Sequence, residues 1–310
     1  MKSKVKTAAV AVPKAPLKRR LKDNWQLYLL LLIPLVLTFI YKYIPMYGIQ
    51  IAFRDYKASR GILGSRWVGM EWFERFFSAP TCARMIRNTV LLSFFSLLWS
   101  FPVPIILSLC INQLRFARYK RVVQTVLYAP HFISTMVVCG MIRIFLSPSG
   151  GLINLLMHTS IDFLTESSAF RTIYIASGIW QDAGWGCIIY LATLSAVDTS
   201  LYEAAKVDGA SVFQRIMAID VPALLPMAIL NLIMSAGSLM NVGFEKVWLL
   251  QTDLNKATSD VIAVYVYQQG IENAKYSYST AVGLFNTAVN IILLIIVNQI
   301  AKRASDVDFV

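Results

Sequence analysis

The sequence predicts an all-α membrane protein with six transmembrane helices, and three observations carry that prediction. Of 310 residues, 57% are hydrophobic and 15% are charged, against about 25% charged in an average soluble domain. Mean hydropathy is +0.58. Six apolar runs reach the length of about 20 residues that a helix needs to cross a bilayer core of about 30 Å. Lys and Arg gather in alternate connecting segments, as they do when cytoplasmic loops hold the positive charge. This composition excludes a soluble enzyme, a disordered chain and a disulfide scaffold. The net charge of +12 would point to an acidic partner in a soluble protein. Here membrane topology accounts for it, and no nucleic-acid partner is expected.

In chain order, residues 1–24 form a basic tail carrying Lys2, Lys4, Lys6, Lys14, Lys18, Arg19, Arg20 and Lys22. It reads as a flexible topology anchor against anionic lipid. The first span, 25–44, has an uncharged core from Leu27 to Ile40. No small-residue cleavage site follows it, so it is expected to be retained. Further spans are predicted at 88–112, 122–146, 171–194, 223–243 and 281–301, together one membrane domain over 25–301. Pro34, Pro102 and Pro104 fall inside spans, where neighbouring helices can satisfy the freed carbonyls. Pro130 should kink the third span, with His131 bonded to a nearby carbonyl. Lys42, Arg143 and Arg171 lie near span ends, where long cationic chains snorkel.

Orientation follows from charge density. Lys and Arg are more than twice as dense in 1–24, 113–121, 195–222 and 302–310 as in 45–87, 147–170 and 244–280. Both termini are therefore predicted to be cytoplasmic, the C-terminal tail being 302–310. Cys82, Cys110, Cys139 and Cys187 have no C-x-x-C spacing and only two histidines beside them. They read as small hydrophobes, not metal ligands.

The loop 198–222 departs from the pattern: it is acidic on balance, with Asp198, Glu203, Asp208 and Asp220 against Lys206 and Arg215. Thr199 or Ser200 can cap a short helix that contains Glu203. Gly209 can end it in a left-handed conformation. Ser211 can cap a second helix, with Val212, Phe213, Ile216 and Met217 along one face. Pro222 should limit that helix. Small side chains at Ala204 and Ala205 allow close approach, and Glu203 offers a carboxylate to a partner cation. Such a helix pair either docks a partner or packs on its own bundle.

At this loop the sequence resembles the permease subunits of bacterial ATP-binding-cassette importers. Glu203-Ala204-Ala205, three residues and Gly209 match their E-A-A…G signature, and Ile219-Asp220-Val221-Pro222 matches its distal I-x-L-P half with Val for Leu. The likeness extends along nearly the whole chain to the LplB-type branch, which imports complex sugars and polysaccharide-derived oligosaccharides. Its segments here are Tyr-Gly-Ile-Gln-Ile-Ala-Phe (47–53), Tyr-Ala-Pro-His-Phe-Ile-Ser (128–134), Leu-Ser-Pro-Ser-Gly-Gly-Leu-Ile-Asn (146–154), Trp-Gln-Asp-Ala-Gly-Trp-Gly (180–186) and Asn-Val-Gly-Phe-Glu (241–245). The resemblance implies the type I importer permease fold in the bacterial cytoplasmic membrane. It implies a second permease as heterodimer partner, two cytoplasmic ATPase subunits and an extracytoplasmic solute-binding protein. Glu203, Ala204, Ala205, Asp208, Gly209 and Pro222 would then couple to an ATPase subunit. The chain has no G-x-x-x-x-G-K-[ST], so ATP and magnesium belong on those partners. No cofactor, metal or catalytic residue is expected on this chain.

Asp182 lies midway along the fourth span. A carboxylate there is costly in lipid and should face a cavity or partner. Trp180 and Trp185 flank it, and aromatic faces stack on sugar rings. Gly178, Asp182 and Gly186 share one helical face, where a neighbouring backbone could come close. Asn231, Asn241, Glu245, Asn286 and Asn290 are further candidates for a translocation path. Each has an alternative role as hydrogen-bonding glue between helices. An intramembrane enzyme would need a nucleophile–base pair or metal ligands on its spans, and none is recognisable. A receptor or scaffold would have no use for the coupling loop.

Overall fold

The computed structural model describes residues 23–304 other than Ser238 and Asn241. The basic tail up to residue 22 and the last six residues lie outside the described residues. The chain divides into two units, one ending at Gln50 and one beginning at Ile51.

In the first unit, α1 (Trp25–Thr38) contains Pro34 and no buried residue. It continues through a π-turn at Phe39–Tyr43 and a helical turn at Ile44–Met46. Its uncharged, fully exposed surface is that of a helix solvated by lipid or by another helix.

The second unit opens with a small antiparallel hairpin, β1 (Arg54–Lys57) and β2 (Ser65–Trp67), in which Arg54 pairs with Trp67. Then come α2 (Glu71–Phe77), α3 (Cys82–Ser100) and α4 (Pro102–Asn112). Pro102 at the first position of α4 cannot donate to the ladder of α3, which divides the two segments. Phe101 between them stays helical, so α3 and α4 make one continuous apolar run.

The third predicted span is not one helix. α5 (Ala117–Tyr128) and α6 (Thr135–Phe145) meet at 96° across a 3₁₀ turn at Ala129–Phe132. Pro130 cannot donate to the helical ladder, and Ile133 and Ser134 are extended. Ser134 then restarts the helix as an N-cap, accepting from the Val137 N–H. Sequence reading expected a kink here; the structure has a break.

α7 (Leu152–Met157) is short. α8 (Ser167–Ser195) has 29 residues, about 43 Å at 1.5 Å per residue. It packs most extensively on α4, and also on α3, α5 and the later helices. α9 (Thr199–Val207) follows, then α10 (Val212–Arg215), a π-turn at Ile216–Asp220, and α11 (Val221–Gly237). These last three run on without a break, so Pro222 does not end the helix. The π-turn just before it widens the ladder where the proline ring would strike a carbonyl. α12 (Phe244–Leu250), α13 (Lys256–Ser259), α14 (Ile262–Tyr267) and α15 (Tyr276–Ala304) complete the chain.

Among the described residues, four stretches are long and apolar enough to cross a membrane: Trp25–Phe53, Cys82–Asn112, Val212–Gly237 and Tyr276–Gln299. The bent pair would make a fifth if it counts as one span. α8 coincides with the predicted fourth span, but Arg171, Gln181, Asp182 and its serines dilute its apolar content.

Two buried clusters hold opposite ends of α8. Phe170 packs with Leu92, Cys139, Val247, Leu250 and Val261. Tyr190 and Leu194 pack with Leu224 and Ala228 of α11. Arg171 donates to Asn88, and Arg143 to the Leu249 carbonyl, so both are anchored in the protein where snorkelling was expected. Cys110 is exposed, unlike the other three cysteines. The close backbone approach falls on Gly184, not on the Gly178–Gly186 face: a Cβ at Gly184 would lie 1.9 Å from the Leu127 carbonyl oxygen. Gly186 instead faces the Pro104 ring, and Gly178 faces Lys246 Nζ.

Candidate functional site: a polar cavity and an exposed helical turn

Between the two clusters lies a cavity of about 850 Å³, bordered by α3, the α5–α6 break, the middle of α8 and the start of α12. Its size falls within the range of about 300–1,000 Å³ common for ligand sites.

The break between α5 and α6 leaves backbone groups that α8 satisfies. Gln181 Nε2 donates to the Ile133 carbonyl at 2.9 Å. His131 Nδ1 donates to Asp182 Oδ1 at 2.9 Å, so the expected carbonyl partner of His131 is a carboxylate. On its face, the imidazole stacks on Trp185, 4.6 Å between centroids and 8° between planes. Asp182 and Trp185 thus hold the bend, and Asp182 also lines the cavity.

At the far wall, Glu245 and Lys246 line the cavity from α12. The Tyr174 hydroxyl accepts the Gly243 N–H at 3.2 Å, fixing where α12 begins. Lys246 Nζ lies 5.1 Å from the Tyr174 ring centroid, and Lys246 is only 8% exposed. Among the described residues it forms no ion pair. Burial lowers its pKa, with Cys139 and Asp182 acting in the opposite direction. Ser93 and Ser96 line the cavity from α3, and their buried hydroxyls have no partner among the described residues.

The other candidates from sequence lie elsewhere. Trp180, Trp185, Asn231, Asn286 and Asn290 are not among the cavity's lining residues. Asn231 faces the Tyr190 hydroxyl. Asn290 Oδ1 accepts the Met240 N–H at 2.8 Å, and Asn286 Nδ2 reaches the Met240 carbonyl at 3.5 Å, tying α15 to the segment after α11. Asn241 lies outside the described residues. Sequence reading missed Lys246, Ser93 and Ser96. The serines left a signal, since Ser93, Ser96 and Ser100 recur at i, i+3 and i+7 within an apolar span. Lys246 left none, because its burial depends on contacts remote in sequence.

The loop after α8 is the second feature. Asp198, not Thr199 or Ser200, caps α9 by accepting the Ser200 N–H at 2.9 Å, and that bond holds its carboxyl below the usual range. α9 ends at Gly209 with φ of 76°, a conformation that only glycine adopts without cost. Ser211 and Gln214 form a reciprocal capping box on α10. Glu203, Ala204, Asp208, Gly209 and Pro222 are exposed and Ala205 is half-buried. Leu201, Val207, Val212, Phe213 and Met217 are exposed beside them.

Beneath this turn sits Asp220, with 0% exposure. Its Oδ2 accepts Gln113 Nε2 at 2.9 Å, and its Oδ1 accepts the Tyr202 hydroxyl. Burial and this bond push the Tyr202 pKa up to about 12. One carboxylate therefore joins α9, the end of α4 and the start of α11.

A helical membrane bundle with a central polar cavity and a capped, outward-facing helical turn defines a transport permease. The chain belongs to the family of binding-protein-dependent transport system inner membrane components, whose profile matches residues 77–306. It is a multi-pass membrane protein of that family. It is 44% identical to Protein LplB of Bacillus subtilis (strain 168) over 293 residues, 93% of this chain and 91% of that protein. It is 43% identical to the polygalacturonan/rhamnogalacturonan transport system permease protein YteP of the same organism, covering 89% and 88% of the two chains. Among solved structures, it matches a chain of a bacterial ABC transporter involved in the import of the acidic polysaccharide alginate. The TM-score is 0.84 at 38% identity, over 93% of this chain and 98% of that one. The same match holds for that transporter in complex with alginate pentasaccharide-bound periplasmic protein.

Proposed function

We propose that this chain is one of two permease subunits of an ATP-driven importer that moves oligosaccharides or other complex carbohydrates across the cytoplasmic membrane. In this reading it crosses the membrane six times with both termini cytoplasmic. The fourth span is α8 and the third is the bent α5–α6 pair. A second permease, two ATPase subunits and an extracytoplasmic solute-binding protein complete the assembly, and ATP with magnesium stays on the ATPases. The cavity takes the sugar. The α9–Gly209–α10 turn docks on an ATPase subunit through Glu203, Ala204, Ala205, Asp208 and Gly209. When nucleotide closes the ATPases, the turn moves with them and shifts the bundle between outward- and inward-open populations.

The observation that carries this reading is the exposed E-A-A turn in a family of binding-protein-dependent permeases. An acidic, doubly capped turn with exposed leucine, valine and phenylalanine is built to be covered. Relatives named for transport of polygalacturonan, rhamnogalacturonan and alginate support the cargo class.

The test is purification of the full-length, tagged chain from its native membranes. An ATPase subunit and a second permease should accompany it. In Glu203→Lys the ATPase subunit should be lost and oligosaccharide uptake with it, while the second permease remains. Full ATPase retention with normal uptake in that variant would refute the coupling role.

A further inference from the structure

We infer that the starts of α3 and α8, outermost in the orientation proposed above, carry a binding site for an anionic phospholipid. Its phosphodiester headgroup sits between Arg87 and Arg171, and an acyl chain lies along Val90, Phe94 and Leu98. The inference goes beyond the transport reading: it needs the chain to sit in a bilayer and makes no use of the cargo.

The two guanidiniums form a corner with unbalanced charge. Arg87 is exposed near the start of α3, and Arg171 is half-buried near the start of α8. Arg87 lies within electrostatic range of Arg171, and neither forms an ion pair among the described residues. Arg171 is held by a neutral partner: its Nη2 donates to Asn88 Oδ1 at 3.0 Å, while its buried Nε has no partner among the described residues. Asn88 is itself fixed, because its Nδ2 donates to the Ala257 and Asp260 carbonyls at 3.0 and 3.2 Å. The Asp260 carboxylate is taken by Arg84 at 2.9 Å. Glu166, at the cap of α8, forms no ion pair among the described residues. Two like charges therefore converge without an acid between them, and a bound anion would remove their repulsion. A guanidinium grips phosphate through paired N–H···O bonds, so one phosphate group can bridge both arginines.

The face below Arg87 says what brings that anion. Arg87, Val90, Phe94 and Leu98 recur at i, i+3, i+7 and i+11, one side of a helix, and all four are exposed. Membrane helices that pack on other helices favour small residues at the contact. On α3 the small residues lie on a different face, where Ser93, Ser96 and Ser100 line the cavity. The side headed by Arg87 is branched and aromatic, a surface suited to lipid tails. A molecule with an anionic head and an apolar tail matches this line of the helix in both charge and polarity. A second permease would have to bring acids to the same depth, whereas every phospholipid of the leaflet already presents a phosphate there. With both arginines unpaired, a headgroup of net negative charge fits better than a zwitterionic one, whose own ammonium would meet two cations.

The experiment uses the full-length chain, purified with whatever partners accompany it and placed in nanodiscs of phosphatidylcholine containing increasing fractions of phosphatidylglycerol. Native mass spectrometry counts the phosphatidylglycerol retained per assembly, which gives its affinity relative to phosphatidylcholine. The wild type should retain phosphatidylglycerol in preference. Arg87→Gln, at an exposed side chain outside any ion pair of the described residues, should weaken that affinity at least about tenfold, the worth of one charge-assisted hydrogen bond. Arg171→Lys keeps a donor for Asn88 but loses the planar fork, and should weaken it less. Lys57→Gln, which removes an exposed cation from the hairpin, should leave it unchanged. Equal retention of the two lipids by the wild type, or undiminished phosphatidylglycerol in Arg87→Gln, overturns the site. Equal losses in Arg87→Gln and Lys57→Gln overturn it too, since attraction is then diffuse. Inorganic phosphate at millimolar concentration should not compete; displacement of the lipid by it would make this a free-phosphate site and overturn the lipid assignment. If Arg87→Gln instead releases another protein from the assembly while lipid retention holds, the corner belongs to that protein contact and the lipid site is overturned. None of these outcomes touches the transport reading, which Glu203→Lys tests separately.

Discussion

Asp220 offers the sharpest test of how motion at the exposed turn reaches the bundle. The perturbation is Asp220→Ala. The wild-type carboxylate is fully buried and accepts from Gln113 and from Tyr202. Hydrogen bonds to a charged group contribute about 1.5–3 kcal/mol each, so losing both costs at least about 3 kcal/mol. At about 1.4 kcal/mol per tenfold, the population in which α9 is latched to α4 and α11 should fall by about 100-fold. The assay is the ratio of ATP hydrolysed to oligosaccharide imported by the whole transporter in proteoliposomes. Under the proposed ATPase coupling, that ratio should rise steeply in Asp220→Ala, because the partner ATPases would still cycle while the bundle follows poorly. Asp220→Asn is the control. Its amide oxygen can still accept from Tyr202, and its N–H₂ can donate to Gln113 once that side-chain amide turns over; neutral bonds are about half as strong, so coupling should fall between wild type and Asp220→Ala. A wild-type ratio in Asp220→Ala would refute the latch. The Tyr202 end of the latch also has a pH signature. Its folded pKa is raised from 10.0 to about 12. The stability it contributes is therefore complete below pH 10 and is lost as pH rises through about 12.

The remaining expectations are local. Gly184→Ala places a Cβ 1.9 Å from a backbone oxygen of α5. That overpacking should cost about 1–3 kcal/mol or more and lower the melting temperature in detergent, whereas Gly178→Ala, with an ordinary van der Waals distance of 3.4 Å to Lys246 Nζ, should melt near the wild type. A Cβ at Gly209 would meet no atom of the described residues within 4 Å, so in Gly209→Ala any loss of local stability comes from the positive φ. About 1–2 kcal/mol of strain should speed amide exchange in α9 and reduce uptake without removing the chain from the membrane. Equal melting of Gly184→Ala and Gly178→Ala, or unchanged exchange in Gly209→Ala, would contradict these two arguments.

Much of the helical turn was legible beforehand because its determinants are local. A glycine at the end of a short amphipathic stretch and a serine with Gln214 three residues later specify turn and cap with little help from the rest of the chain. The capping residue slipped by one or two, from Thr199 or Ser200 to Asp198, since several adjacent residues are competent caps. Pro222 was misjudged as a stop because a π-turn can absorb a proline, and periodicity does not reveal that. At the third span, Pro130 announced a disturbance but not its size. A 96° break persists only because Gln181 and Asp182, some 50 residues later, satisfy the groups it exposes.

The sequence by itself determined the solvent, the helical class, the family and the exposed turn after α8. Those follow from composition and from patterns a few residues long, where the controlling energies are burial of apolar groups and backbone hydrogen bonding. Only the tertiary structure decided which polar groups meet. It gave Asn286 and Asn290 to helix packing, put Trp185 against His131, and brought Lys246, Ser93 and Ser96 to one cavity. Inside a membrane bundle a polar side chain must find a partner, and either a neighbouring helix or a cavity will serve. Sequence spacing fixes the face a residue occupies on its own helix, while the choice between those two partners is made by helices that are distant along the chain.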